Sequence, residues 1–446
     1  MTEPVPHDAE RGHLVRIFGR PMDPAAHVLR DFLSRTVAHY TWTELSNDRD
    51  CIAALGVRLG YVRLPVVQLP GGERLEAPDP AALAQRLGWV ARPSADVYDL
   101  SIYGAGPAGL SAAVYAASEG LRVAVVERDA VGGQAGSSSL IENYLGFPAG
   151  VSGAELAERA RQQAVKFGAE LLQMRAGQQG RFADGLLRVN LSDGSVLASR
   201  SNICATGVRW RRLGLHDEER FFGAGLYYGS GIGEAPQCSG EQVIVVGGAN
   251  SAGQAAMHLA EHADNVALLL RGTDISSKMS AYLVDRISAQ PNVQVRPGTT
   301  ITKLLGDRTI SAIKARTADG SDVEIPAARV FICVGGAADT GWAEGTPLIR
   351  DQDGLFLTGN DLSPELLEGI WPLDRRPFDL ETSVPGFFAI GDVRRGSIKR
   401  VASAVGEERL RSAMFTGSWL PERDRADRQP RRHGARRAPA PSASRC

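Results

Sequence analysis

The chain has 446 residues, 43% of them hydrophobic and 23% charged, with a formal net charge of −1. That balance suits a globular protein with room for two or three domains, and it supplies no global field for nucleic acid or an anionic membrane. No run reaches the ~20 apolar residues of a membrane span, and the opening MTEPVPHDAERGH lacks the apolar stretch of a signal peptide. The cysteines at 51, 204, 238, 333 and 446 show neither paired nor metal-ligand spacing, so reduced thiols, a cytoplasmic setting and no metal are expected.

Residues 1–12 read as a flexible N-terminus and 13–92 as a small α/β unit. LVRIFG is an apolar strand, and PAAHVLRDFLSRTV has helical spacing after Asp23 and Pro24. YTWTEL and LPVVQL are further strands, followed by the turn PGGE and the short helix PAALAQRLG. A linker follows, and a βαβ unit opens at Tyr98. Another opens at Glu241. Residues 416–446 form an Arg/Pro-rich tail that cannot bury a core and is expected to be disordered.

The segment YDLSIYGAGPAGLSAAVYAASEGLRVAVVE carries the strongest signal. A strand runs into Gly104, Gly106, Pro107, Ala108 and Gly109, and an alanine-rich helix follows. Gly104 permits a tight turn, Gly106 the close approach of a pyrophosphate, and Gly109 close packing of helix on strand. The next strand ends at Glu127 and Arg128, and the Glu127 carboxylate can accept both ribose hydroxyls of an adenosine. An ordinary βα turn is the bland alternative; strand, helix and acidic terminus together argue against it.

EQVIVVGGANSAGQAAMHLAEHADNVALLLRG repeats the pattern, with Gly247, Gly248, Asn250, Ser251 and Ala252 in the loop. Here the second strand leads to Arg271 instead of an acid, which suits the 2′-phosphate of NADPH.

VGGQAGSSSLIENYLGFP, ICATGVRWRRLG and PGFFAIGDVRRGSIKRVASAVGE resemble the FAD-binding segments of the low-molecular-weight thioredoxin reductases, over roughly residues 97 to 410. The resemblance implies an α/β fold of two Rossmann-like, three-layer ββα domains, one inserted in the other. The FAD domain is expected at 97–212 and 346–415, and the NADPH domain at 213–345. By resemblance, Gly133 and Gln134 lie along the flavin, and Asn143 follows the loop that covers it. Thr206 and Gly207 lie near the adenosine half, and Gly391 and Asp392 near the ribityl chain. The helix opening at Arg400, Val401 and Ala402 points its positive end at the flavin, where reduction builds negative charge. At position 249 the family has a third glycine and this chain has Ala249, expected to weaken or shift dinucleotide binding.

Gap-free alignment places the family's Cys-Ala-Thr-Cys on Ser230-Gly231-Ile232-Gly233, and its following acid on Glu234, a possible acid here. Both redox cysteines are therefore replaced, by Ser230 and Gly233, and a serine hydroxyl cannot form a reversible dithiol couple. Cys238 is expected to be a structural or surface thiol. The N-terminal unit resembles a thioredoxin or glutaredoxin fold without its cysteine pair, with Pro65 in the place of the family's cis-proline and no cysteine from Gly19 to Pro24.

These features imply an NADPH-dependent FAD oxidoreductase, expected as a homodimer, that passes electrons to an unidentified electron-transfer protein or small oxidant. A flavin-binding interaction or regulatory module with little turnover is the alternative reading. A dithiol oxidase is disfavoured by the missing pair.

Overall fold

The computed structural model describes residues 15–407. The expected flexible N-terminus, the Arg/Pro-rich tail and the chain following Glu407 lie outside the described residues.

The first unit comprises strands β1 (Val15–Gly19), β2 (Tyr40–Glu44), β3 (Val66–Gln68) and β4 (Arg74–Glu76), with helices α1 (Pro24–Arg35), α2 (Asp48–Leu55) and α3 (Pro80–Arg86). The sheet order is β2-β1-β3-β4, with β1 and β2 parallel and the other neighbours antiparallel. Helix α1 begins where its sequence favours a start. The Asp23 carboxylate accepts the Ala26 N–H at 2.9 Å, and Pro24 fills a first-turn position that needs no donor. Leu29, Phe32 and Leu33 pack with Ile17, Val67 and Leu83. Arg30 is also fully buried, its guanidinium lying over the Trp42 ring and reaching Glu234 far along the chain. The Leu64–Pro65 peptide bond is cis.

The second sheet is ordered Glu170–Gln173, Val123–Glu127, Tyr98–Tyr103, Val196–Cys204, Leu186–Leu191, Gly177–Ala183. Phe387–Ala389 returns from late in the chain to pair in parallel with Val196–Cys204. The third sheet is wholly parallel, with Leu226–Tyr228, Arg329–Ile332, Gln242–Val246, Asn265–Leu269 and Val293–Arg296 as successive neighbours. Its strand Gln242–Val246 has four of five residues buried, as a parallel strand covered on both faces requires. Two short strands, Val208–Trp210 and Gly336–Ala338, pair with each other where the chain crosses between these sheets. Among the described residues no helix is long and apolar enough to cross a membrane.

Candidate active site

The turn after Tyr98–Tyr103 is built for close approach. Gly104 has φ +105°, and a Cβ there would lie 2.4 Å from the Ala205 carbonyl oxygen. Below it, a Cβ on Gly109 would lie 2.0 Å from the Gly104 oxygen, so the helix Pro107–Ser118 seats directly against the turn. Gly106 is different: its bare backbone meets only the Cα of Gly133, 3.9 Å from where a Cβ would stand. Glu127 is held by two backbone N–H groups, Oε2 accepting from Ala105 at 2.7 Å and Oε1 from Asp129 at 2.9 Å. Burial raises its pKa, and those two donors oppose the rise.

These groups open onto a cavity of about 1060 Å³. Gly104, Gly106, Pro107 and Ala108 line it at the glycine turn, with Glu127 and Arg128 at the neighbouring strand end. Gly133, Gln134, Thr206 and Gly207 form further wall, as do Gly391, Asp392, Arg400 and Val401. Gln134 donates to the Val208 carbonyl at 2.6 Å, tying this loop to the first crossing strand. Gly391 donates its N–H to Glu407 at 2.7 Å, and Glu407 also accepts from Arg394. Burial raises the pKa of Asp392, while the charge of Lys399 works against it.

Three residues expected at the flavin site lie off the cavity wall. Gly109 acts from beneath the turn, and Ala402 is exposed off the cavity wall. Asn143 is exposed too, in a segment whose Glu142 is bound by Arg286 at 2.7 Å.

In the second loop Gly247 has φ +148°, and a Cβ would lie 2.3 Å from the Cys333 oxygen. Gly248 is open, with Leu270 at 3.6 Å. Ala249 has φ −114° and ψ 179°, an extended conformation that any residue adopts, so its methyl group strains nothing. Two assignments need correction. Asn250 does not present its amide to a ligand; it accepts the Ser280 N–H at 2.8 Å and donates to the Ser280 hydroxyl at 3.0 Å, joining two helices. Ala252 is fully buried under Gly247, its N–H bonded within the first helical turn. Arg271 is exposed, and no carboxylate pairs with it among the described residues. Ser251, with Gln254, lines the large cavity itself, whereas Gly247, Gly248 and Arg271 do not.

Ser230 also lines that cavity and donates its hydroxyl to the Ser137 carbonyl. Gly233 sits against α1, where a Cβ would meet the Ser34 hydroxyl at 3.3 Å. Glu234 is only 1% exposed, with Arg30 at 2.6 Å and His27 at 2.7 Å. Burial pushes its pKa up, but the His27 hydrogen bond and the Arg30 charge outweigh that and bring it down to about 2. Such a carboxylate only accepts, so the His27 Nδ1 carries the proton between them. Glu234, read as a possible acid, is instead held as an anion by Arg30 and His27.

None of the four described cysteines lines the cavity, and all are buried. Burial pushes the Cys238 and Cys333 thiols up to about 12. Cys238 donates to the Glu234 carbonyl at 3.4 Å, a structural role.

The residues that sequence reasoning missed come from α1: His27, Arg30 and Arg35. A signal was present, since Arg30 interrupts the buried stripe of Ala26, Leu29 and Leu33.

A glycine turn opening on a long cavity, an acidic strand end and a second parallel sheet with its own glycine loop define a dinucleotide-dependent oxidoreductase. Residues 98–407 match the pyridine nucleotide-disulphide oxidoreductase family, and the chain belongs to it. Members of its thioredoxin reductase-like branch use FAD and NADPH. The chain is 30% identical to a thioredoxin reductase of Treponema pallidum (strain Nichols) over 314 residues, 70% of this chain and 94% of that one. It is 30% identical to an NADH dehydrogenase of Ferdinandcohnia aciditolerans over 312 residues, 70% of this chain and 55% of that one. The solved structure of a T. acidophilum thioredoxin reductase superposes with a TM-score of 0.64 at 27% identity, covering 73% of this chain and all of that one. The fold is thus the two-Rossmann-domain fold of thioredoxin reductases, and the unit built on β1–β4 precedes the matched region.

Proposed function

We propose that the protein is an NADPH-dependent FAD oxidoreductase that delivers electrons to its acceptor without an internal dithiol. One observation carries this reading: Ser230 lines the cavity, Gly233 packs against α1, and no described cysteine lines the cavity. The residues present fit FAD, because Gly106 offers bare backbone to a pyrophosphate and Glu127 is already oriented by two N–H donors. When bound, the cofactor supplies hydride acceptance and onward electron transfer, chemistry no side chain can provide.

The chain's own residues bind and orient. Glu127 holds ribose hydroxyls, Gly104 and Gly106 let the diphosphate approach, and Lys399 and Arg400 bring positive charge to the opposite part of the wall. Ser230 is small, which favours entry of a compact acceptor such as a quinone or inorganic oxidant over the wall it forms. Arg271 is the candidate for the 2′-phosphate of NADPH. The unit built on β1–β4 is proposed to be a thioredoxin-like module that has lost redox chemistry, a reading supported by its sheet order and by the absence of cysteine between Gly19 and Pro24.

A second reading, a flavin-carrying binding module, is favoured by one feature: α1 packs onto the segment that would otherwise meet a partner. Anaerobic stopped-flow mixing of the FAD-loaded protein with NADPH and, separately, NADH tests the first reading. It expects rapid bleaching with NADPH and slower bleaching with NADH. An unchanged oxidised spectrum with both would reject it in favour of the second.

A further inference from the structure

Arg35, the last residue of α1, reaches out of its own unit to the wall of the dinucleotide cavity. Its side chain is 19% exposed, yet its partners are few and distant. One terminal nitrogen donates at 3.4 Å to each of the Ala130 and Gly133 carbonyls. The other meets Asp31 of the same helix at 3.5 Å, and Nε is buried with no partner. Among the other cations on this wall, Lys399 and Arg400 have no ion pair among the described residues, whereas four arginines are neutralised. Arg128 and Arg209 share Asp339, Arg175 faces Asp193, and Arg212 holds Glu219.

The place of this guanidinium is specific. Gly133, whose carbonyl it touches, lies with its Cα against Gly106, the open glycine of the turn. Its charge also acts on Glu127 at the neighbouring strand end. A cation on this wall, touching the residue beside the open glycine and acting on Glu127, is placed to meet a dinucleotide's diphosphate. Helix α1 holds it there, being fastened to the segment that follows Ser230 by the buried contacts of Arg30 and His27 with Glu234.

We infer that Arg35 is a diphosphate-binding residue of the flavin site, supplied by the N-terminal unit from outside the region the chain shares with its family. The inference rests on the FAD reading above. A dinucleotide diphosphate gives the guanidinium the charge-assisted hydrogen bonds that its present long contacts do not. The N-terminal unit thereby takes part in cofactor retention although it carries no redox group.

The test titrates FAD into full-length apoprotein, followed by flavin fluorescence, for wild type, Arg35→Gln and Arg35→Lys, with ADP and adenosine as competitors. Arg35→Gln is expected to weaken FAD binding by about tenfold or more, the scale of a charge-assisted hydrogen bond. It should shrink the preference for ADP over adenosine by a similar factor, and Arg35→Lys should recover part of both. Equal FAD affinity in wild type and Arg35→Gln overturns the inference. So does an equal loss for ADP and adenosine, which marks a purely structural role. Wild type that binds ADP through Arg35 but not FAD overturns the flavin reading alone; wild type that binds neither overturns both.

Discussion

Arg30 Nη2 lies 2.6 Å from Glu234 Oε1, both side chains are buried, and the two residues are 204 positions apart in the chain. This contact fastens the N-terminal unit to the segment from Ser230 to Glu234, onto which the resemblance places a redox cysteine pair. It converts a carboxylate at the expected position of an acid into a fixed structural anion.

Removing the cation should therefore cost more than removing the pair. Arg30→Met leaves the Glu234 charge buried with His27 alone, and a loss of about 3 kcal/mol is expected. Arg30→Met combined with Glu234→Leu should recover much of it. Chemical denaturation of the single and double variants checks this, and an unchanged midpoint for Arg30→Met would refute the structural role.

The same pair sets an acid dependence. The Glu234 carboxyl is brought from its ordinary value near 4.5 down to about 2 in the folded protein. A depressed pKa means stability that is fully present above about 4.5 and lost as pH falls towards about 2. Melting temperatures of wild type minus Glu234→Gln, measured across that window, should decline as pH falls. A flat difference would show that the two states bind the proton alike.

The first glycine turn, its helix and the acidic strand end were legible because each is local, written within one strand–turn–helix–strand run. The absence of a dithiol was equally legible, since no fold can restore sulfur at Ser230 or Gly233. The partnership of Arg30 with Glu234 and the reach of Arg35 to Gly133 were not, because they join distant parts of the chain through packing. Asn250 shows the opposite failure: it stands in a nucleotide-binding loop by sequence, yet its amide is tied to Ser280, where the next helix starts. Ala249, expected to weaken or shift dinucleotide binding, sits in extended backbone that accepts its methyl group without strain in the loop itself.

Gly104→Ala should abolish flavin retention. The new Cβ would meet the Ala205 carbonyl at 2.4 Å in a backbone with φ +105°, so the turn must open. A loss of roughly 2 kcal/mol or more in stability is expected along with cofactor loss. Absorbance of the purified variant after gel filtration reports it; a normal flavin content would contradict the placement of the turn.

Native-state alkylation should leave turnover with ferricyanide unchanged. The described thiols are buried, and burial disfavours each thiolate, the reactive form. Rapid inactivation by iodoacetamide, protected by prior oxidation, would reveal a redox thiol in the cycle.

Flavin is proposed to be the sole redox centre between NADPH and the acceptor. Anaerobic titration of the FAD-loaded protein with dithionite, and then with NADPH, tests it most directly by counting electrons. A flavin with a dithiol behind it takes up four electrons, whereas a flavin alone takes up two. Complete bleaching after one two-electron equivalent per flavin is the predicted result. A requirement for two equivalents, or a flavin that dithionite reduces and NADPH does not, would contradict the account.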